Sequence, residues 1–139
     1  MLLFHLLVPR GVFDAPSRSG LARALTKAIR SLLQVGDTSR KARLAWGVVQ
    51  EIPTGSLYVG GCPSKRPRYC LHLMTPAGGI AEETRSQLVR IATELILERE
   101  DTPYSDGEAE RVWILFHDMG EASWGGSGRL FSMRAAIAA

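Results

Sequence analysis

The sequence predicts an α/β protein of the α+β two-layer sandwich type, in which duplicated βαβ units form a four-stranded sheet with two helices on one face. Three observations support this fold class. The sequence resembles itself after a shift of 67 positions, apolar runs alternate with amphipathic helical segments, and each unit ends in a glycine-rich turn and a short hairpin arm. With 139 residues, 45% of them hydrophobic, the chain is long enough for a single domain. We therefore expect one domain, residues 1–139, made of pseudo-repeats 1–67 and 68–139.

At least twelve pairs of identical residues align without a gap in the repeat. Average composition would give roughly one identity in fifteen positions by chance. The matches extend along the whole unit and therefore indicate a duplicated supersecondary unit. They include His5 with His72, Pro9 with Pro76, Gly11 with Gly78, Leu21 with Leu88, Thr26 with Thr93, and Trp46 with Trp113.

The first unit begins with a strand over residues 2–8, because the run LLFHLLV is continuously apolar and Pro9 lacks the amide needed to continue a ladder. A helix follows, capped by Asp14 or Ser17, and extends to Gly36. Its buried face is expected to carry Leu21, Leu25, Ala28, Ile29, Leu32 and Leu33. The segment RLAWGVVQEI predicts the second strand, and PTGSLYVGG predicts a turn with a short hairpin arm.

The second unit repeats this order with a strand over 69–75, a helix near 80–98, a strand over 112–117 and the closing arm DMGEASWGGSGRLF. The buried face of its helix is expected to carry Leu88, Ile91, Leu95 and Ile96. A strand, a helix and a strand in this order should form a right-handed parallel crossover. Local patterns alone do not distinguish a duplicated βαβ unit within one chain from a ferredoxin-like dimer.

The helix-free face of this sheet predicts self-association, because it should expose more apolar surface than a small chain can hide. The residues expected there are Leu3, His5, Leu7, Leu71, Leu73, Trp46 and Trp113. The matched positions of His5 and His72 favour structural histidines, packed against the neighbouring helix, over metal ligands. His117 and Asp118 could form an acid/base couple, although a solvated strand end is favoured.

Composition argues against several classes of function. Seventeen basic and fourteen acidic residues are scattered and give a net charge of +3, which is too mild to indicate nucleic-acid binding but is compatible with a small anion. The basic cluster at 65–68 is expected to form a solvated loop. Cys62 and Cys70 are too few for a disulfide framework and favour a reducing cytoplasm. The opening apolar run is too short to span a membrane and reads as a strand. We expect no metal and no cofactor.

The segments EIPTGSLYVGG and DMGEASWGGSG, each directly after a buried strand, carry a family resemblance together with the repeat. The chain resembles the 4-oxalocrotonate tautomerase superfamily, and in particular its fused two-unit members typified by cis-3-chloroacrylic acid dehalogenase. The resemblance covers nearly the whole chain. It implies a homotrimer and catalysis by an amino-terminal proline, whose lowered pKa makes it a base, beside arginines that hold a substrate carboxylate.

The catalytic positions of the family are not retained. The proline position is Leu2, and because removal of the initiator methionine requires a small second residue, Met1 is expected to remain. Carried over residue by residue, the family's helix histidine falls on Ile29, its two arginines on Ala77 and Ile80, its tyrosine on Leu115 and its glutamate on Gly126. The resemblance therefore implies weak or no tautomerase activity.

The resemblance still implies a largely apolar pocket for a small anionic or keto-acid ligand. Trp124 falls where single-unit tautomerases place an aromatic residue over the substrate, and Leu57 is its counterpart in the first unit. Trp46 and Trp113 lie on the strands that approach this site, and Arg43 and Arg129 are the remaining candidates for anion contacts. Two alternatives stay open: an isomerase or hydratase-like enzyme with a substitute base, and a non-catalytic subunit of a mixed oligomer.

Overall fold

The computed structural model describes residues 1–36 and 39–132. The elements follow in the order β1 (Leu2–Pro9), α1 (Ala15–Leu32), α2 (Ser39–Ala42), β2 (Ala45–Ile52), β3 (Tyr58–Val59), β4 (Cys62–Pro63), β5 (Tyr69–Pro76), α3 (Glu82–Arg99), α4 (Asp106–Ala109), β6 (Val112–Met119), β7 (Gly125–Gly126) and β8 (Arg129–Leu130). The long strands and helices agree with the predicted elements. The one-turn helices α2 and α4 were not predicted, because four residues are too few to show a helical period.

The four long strands form one sheet in the order β2-β1-β5-β6, and the two-stranded hairpins β3-β4 and β7-β8 extend from it. β1 is parallel to β2, β5 is parallel to β6, and β1 is antiparallel to β5. His5 and His72 lie opposite each other where β1 meets β5. Because these two residues are also matched by the shift of 67 positions, the two units meet at equivalent points. The predicted fold class is confirmed.

The core lies between the sheet and the helix layer formed by α1 and α3. Alternate residues of β1 point into it, and all four are buried: Leu2, Phe4, Leu6 and Val8. Four alternate residues of β5 do the same: Tyr69, Leu71, Leu73 and Thr75. Leu71 and Leu73 therefore face the helices, and their predicted place on the helix-free face was wrong. Strand alternation points the rings of His5 and His72 to the open face. The predicted place of His5 on the helix-free face was therefore correct, and the predicted packing of both histidines against a helix was wrong.

Helix α1 begins where the sequence predicts, since the Asp14 carboxylate accepts a hydrogen bond from the Ser17 amide at 2.8 Å. It ends at Leu32, before Gly36. On α3 the buried residues are Leu88, Ala92, Thr93, Ile96 and Leu97. Ile91 and Leu95 were predicted on this face but are only partly buried, because the buried stripe follows residues 88, 92, 93, 96 and 97 and leaves these two at its edge.

Candidate functional site

A cavity of about 500 Å³ lies beside the start of β1. It is built from three segments that are distant in sequence: the chain start, the entry to β2 and the second hairpin. Its lining residues are Met1, Leu2, Leu3, Arg43, Leu44, Trp46, Trp124, Gly125, Gly126, Ser127 and Phe131. The structure thus brings together six of the residues that the sequence proposed for a site: Met1, Leu2, Arg43, Trp46, Trp124 and Gly126.

Hydrogen bonds to backbone carbonyls order the three segments of this cavity. The Leu2 amide donates to the Leu44 carbonyl at 3.0 Å and joins the chain start to the entry of β2. The Trp46 indole N–H donates to the Arg43 carbonyl at 3.0 Å, which fixes the indole beside the arginine. The Phe131 amide donates to the Trp124 carbonyl at 2.9 Å and closes the hairpin. Aromatic side chains from three positions therefore form walls of the cavity.

Gly126 allows the hairpin to pack closely against the ring that follows it. A Cβ atom at this position would lie only 2.6 Å from a ring carbon of Phe131, well inside van der Waals contact. The family glutamate that the resemblance carries to this position would displace Phe131. The glycine therefore shapes an apolar wall at a point where the resemblance places a polar catalytic group.

The electrostatics of the cavity favour an anion. Among its lining residues the groups that can be cationic are the Met1 amine and the Arg43 guanidinium, and none of the lining side chains is acidic. Burial lowers the pKa of the Met1 amine below its ordinary value, so more of this amine is neutral near pH 7 than in a solvated chain end. The amine can therefore act as a weak base or as a hydrogen-bond donor, while Arg43 supplies the permanent charge.

The remaining proposed site residues lie elsewhere in the fold. Ile29 and Ile80 are buried in the main core, so neither presents its side chain to the cavity. Leu115 points to the open face of the sheet. Ala77 follows β5, and its amide donates to the Met119 carbonyl at 3.0 Å. Arg129 pairs with Gly126 in the second hairpin but is not among the residues that line the cavity.

Leu57 and Trp113 line a second cavity, of about 290 Å³, at the start of β5. Because β1 and β5 are antiparallel, the two cavities lie at opposite ends of the sheet. The sequence proposed Trp46 and Trp113 for a single site, but the structure divides them between the two cavities.

His117 and Asp118 do not form the acid/base couple that the sequence left open. His117 points to the open face, where its Nε2 lies 2.8 Å from His72 Nδ1. The Asp118 carboxylate accepts a hydrogen bond from Arg85 at 2.7 Å, and the two adjacent residues of β6 therefore face opposite sides of the sheet.

Sequence reasoning missed a row of histidines across the open face. The rings of His5 and His72 are 6.3 Å apart between centroids, and those of His72 and His117 are stacked at 5.1 Å. His5 Nε2 lies 2.7 Å from Gln50 Oε1, and the Cys70 sulfur lies 3.4 Å from His72 Nε2. Burial, followed by the positive charges of His117 and His5, lowers the pKa of His72 below its ordinary value. Strand register combined with alternation was the signal that could have found this row.

A buried ion network beneath the second cavity was also missed. Arg111 is 3% exposed and donates to Glu100 at 2.7 and 2.8 Å and to Glu108 at 2.6 Å. The Tyr69 hydroxyl donates to Glu100 at 2.5 Å. Burial opposes ionisation of Glu100, but hydrogen bonds from Arg111 and Tyr69 outweigh it and lower the pKa of this carboxyl. Burial, and then the hydrogen bond to Glu100, raises the pKa of Tyr69.

Within the described residues no group of three or more histidine, cysteine or acidic side chains is arranged to hold a metal ion. Over the same part of the chain, no helix combines the length and the apolar character required to cross a membrane.

No protein family model matches the chain, and no curated protein is significantly similar to it in sequence. Solved structures match its fold over nearly its whole length. A structure of N1, a member of the cis-3-chloroacrylic acid dehalogenase family, aligns with a TM-score of 0.74 at 16% identity, covering 93% of this chain and 82% of N1. Pt0534 inactivated by 2-oxo-3-pentynoate aligns with a TM-score of 0.76 at 17% identity, covering 96% of this chain and 97% of Pt0534. A chain of the Q0 fused 4-OT, solved as a symmetric trimer, aligns with a TM-score of 0.75 at 14% identity, covering 96% of this chain and 98% of the Q0 chain. The chain therefore has the fold of the tautomerase superfamily in its fused two-unit form.

Proposed function

We propose that this protein is a homotrimer that binds a small keto acid or related carboxylate in the cavity beside the start of β1 and has little or no keto–enol tautomerase activity. One observation carries this proposal. The cavity combines aromatic walls with two groups that can be cationic and has no acidic lining side chain. Its volume of about 500 Å³ lies within the range of small-molecule sites.

The lining residues suggest how such a ligand is held. Trp46, Trp124 and Phe131 offer flat apolar surface to the body of the ligand, and Arg43 offers a fork of N–H donors to its carboxylate. The Met1 amine is a second donor at the same cavity. The neighbour Pt0534 was inactivated by 2-oxo-3-pentynoate, which is itself a 2-oxo acid, and this supports the same ligand class here.

We expect weak catalysis because the family's base position holds a side chain that cannot move a proton. Tautomerisation needs a base placed at the carbon acid, and positioned proton transfer is typically worth about 10²- to 10⁴-fold in rate. The residue at the family's base position, Leu2, has a core side chain that is 5% exposed, and its amide is engaged with Leu44. The alternative of a substitute base has one specific observation in its favour, the lowered pKa of the Met1 amine.

The open face of the sheet supports assembly into a trimer. It exposes Trp46 at 70%, Val48 at 46%, Trp113 at 69% and Leu115 at 37% of their surfaces. The positions of the four strands that point to this face carry no Asp, Glu, Lys or Arg. Uncharged faces with exposed aromatic residues are typical of protein interfaces, and the Q0 fused 4-OT, which shares the fold, is a symmetric trimer.

The test combines binding, turnover and mass in solution. Calorimetric titration with phenylpyruvate should show binding, and Arg43→Gln should weaken it by about tenfold because a charge-assisted hydrogen bond is lost. Arg129→Gln is the matched control and should bind like wild type, since Arg129 does not line the cavity. Absorbance at the enol band should show little tautomerisation, and sedimentation should give a trimer.

Three results would contradict this proposal. Robust turnover that disappears when the amino terminus is acetylated would establish Met1 as a substitute base. A stable monomer at micromolar concentration would exclude the trimer. Assembly only after mixing with a second protein would favour the mixed oligomer.

A further inference from the structure

The cavity at the start of β5 reproduces the cavity at the start of β1 position by position. Each residue that lines it is matched, after a shift of 67 positions, by a residue that lines the first cavity. Tyr69 corresponds to Leu2, Trp113 to Trp46, and Leu57 to Trp124. The duplicated fold therefore forms two hollows of the same construction with different side chains. We propose that this second cavity is a separate ligand site, which takes a small aromatic monocarboxylate with Arg68 as its anion-binding group.

The floor of this cavity is rigid and its charges are neutralised. Arg111 is paired with Glu100 and Glu108, and Glu108 also accepts a hydrogen bond from Arg66 at 2.8 Å. Tyr69 completes the network by donating to Glu100. The two guanidinium groups are therefore balanced by the two carboxylates, and this network carries no net charge with which to attract a ligand. Recognition must come from the other charged lining residues, Arg68 and Glu110.

Arg68 is the lining residue whose guanidinium is poorly satisfied. Its Nε is buried and has no hydrogen-bond partner, and its Nη1 makes only a long 3.5 Å contact to the Glu110 carbonyl. No carboxylate in the described residues lies within ion-pair distance of it. A buried donor without an acceptor costs free energy, so the present side-chain position is weakly held. An anion entering the cavity would let the guanidinium turn and make two charge-assisted hydrogen bonds.

The walls define the rest of the ligand. Trp113 and Tyr58 are 69% and 60% exposed, and together with Leu57 they present flat apolar surface around the opening. The volume of about 290 Å³ is at the small end of ligand sites and suits a single ring. Glu110 also lines this cavity, and the negative charge of its carboxylate should disfavour a dianion. These features select a one-ring monoanion, for which benzoate is the simplest probe.

The experiment uses the full chain labelled with ¹⁵N, because its three tryptophan indoles divide between the cavities. Trp113 reports on the second cavity, and Trp46 and Trp124 report on the first. The Trp113 signal is assigned from the Trp113→Phe variant. Benzoate should shift it with millimolar affinity, Arg68→Gln should weaken this binding by about tenfold, and Arg68→Lys should weaken it less, since the charge remains but the fork is lost. Lys65→Gln, in the same exposed loop, is the matched control and should bind like wild type.

Charge selectivity gives an independent test. Phthalate should bind more weakly than benzoate at the Trp113 site, and Glu110→Gln should reduce this difference because it removes the opposing carboxylate. The proposal is overturned if saturating benzoate leaves the Trp113 signal unshifted, or if folded Arg68→Gln and Arg68→Lys both bind like wild type. The proposed function has its own readout, since phenylpyruvate at the first cavity shifts Trp46 and Trp124. Either proposal can therefore fail without the other.

Discussion

Replacing Arg111 by leucine should destabilise the protein by about 3–5 kcal/mol, because the change leaves the carboxylate of Glu100 buried without its cation. Arg111 is 3% exposed, and the side chain of Glu100 is 14% exposed. Arg111 Nε and Nη2 donate to Glu108, both Nη atoms donate to Glu100, and Nη1 also donates to the Pro67 carbonyl at 2.8 Å. Leucine replaces none of these bonds. Glu100 would keep only the hydroxyls of Tyr69 and Thr102 as donors.

The first repeat indicates which substitutions should restore the stability lost in Arg111→Leu. Tyr69, Glu100 and Arg111 correspond after the shift of 67 positions to Leu2, Leu33 and Leu44, an apolar set at the equivalent place in the first unit. Replacing all three by leucine removes the charges together, and well-packed apolar groups in place of a buried ion pair are often neutral or stabilising. The triple variant should therefore recover most of the loss and come within about 1 kcal/mol of wild type.

The assay is urea unfolding followed by tryptophan fluorescence, with all variants at one protein concentration because assembly contributes to apparent stability. Glu108→Gln is a useful comparison, since Arg111 retains Glu100 in this variant and the loss should be smaller. A loss of less than about 1 kcal/mol in Arg111→Leu, or a triple variant no more stable than the single one, would show that Glu100 does not depend on Arg111 as its buried cation.

Three further predictions test other parts of the structure. Burial lowers the pKa of His72, and the charges of His117 and His5 lower it further. The stabilisation that comes from keeping His72 neutral should therefore be fully present above the unfolded-state pKa of about 6.5 and should be lost as the pH falls through the lower pKa of the folded state. Melting temperatures between about pH 5 and 8 should show this loss, and His72→Gln should flatten it. Gly47→Ala should cost about 1–3 kcal/mol because the added Cβ would overlap the Phe4 ring, whereas Gly107→Ala, whose Cβ would meet nothing within 4 Å, should be nearly neutral by urea unfolding. Gly126→Ala should reduce phenylpyruvate binding by displacing Phe131, with Gly120→Ala, which meets nothing, as the calorimetric control.

The fold could be predicted because its signals are local or repeated. The apolar run of β1, the capping residues of α1 and the shift of 67 positions each depend on residues close in sequence or on self-similarity. The direction of single side chains was less predictable. A continuously apolar strand hides which residues face the helices, and this is why Leu71 and Leu73 were assigned to the wrong face.

The candidate site was only partly predictable for a different reason. Met1, Arg43 and Trp124 come together at the second hairpin, where Gly126 leaves room for the Phe131 ring, and no pattern in the sequence shows this contact. Arg111 and Glu100 are eleven residues apart and pair across the end of α3, a contact that no periodic pattern reveals. A comparison of the two repeats position by position would have shown that Glu100 and Arg111 stand where the first repeat has leucines.

The most direct test of the central claim is a crystal structure of the protein grown with saturating phenylpyruvate. We expect a trimer joined through the open sheet faces, with unchanged phenylpyruvate in the cavity beside the start of β1. Its carboxylate should contact Arg43 and its ring should lie against Trp46 and Trp124. A cavity filled by the Met1 side chain with no ligand bound, or chains joined through another surface, would contradict it.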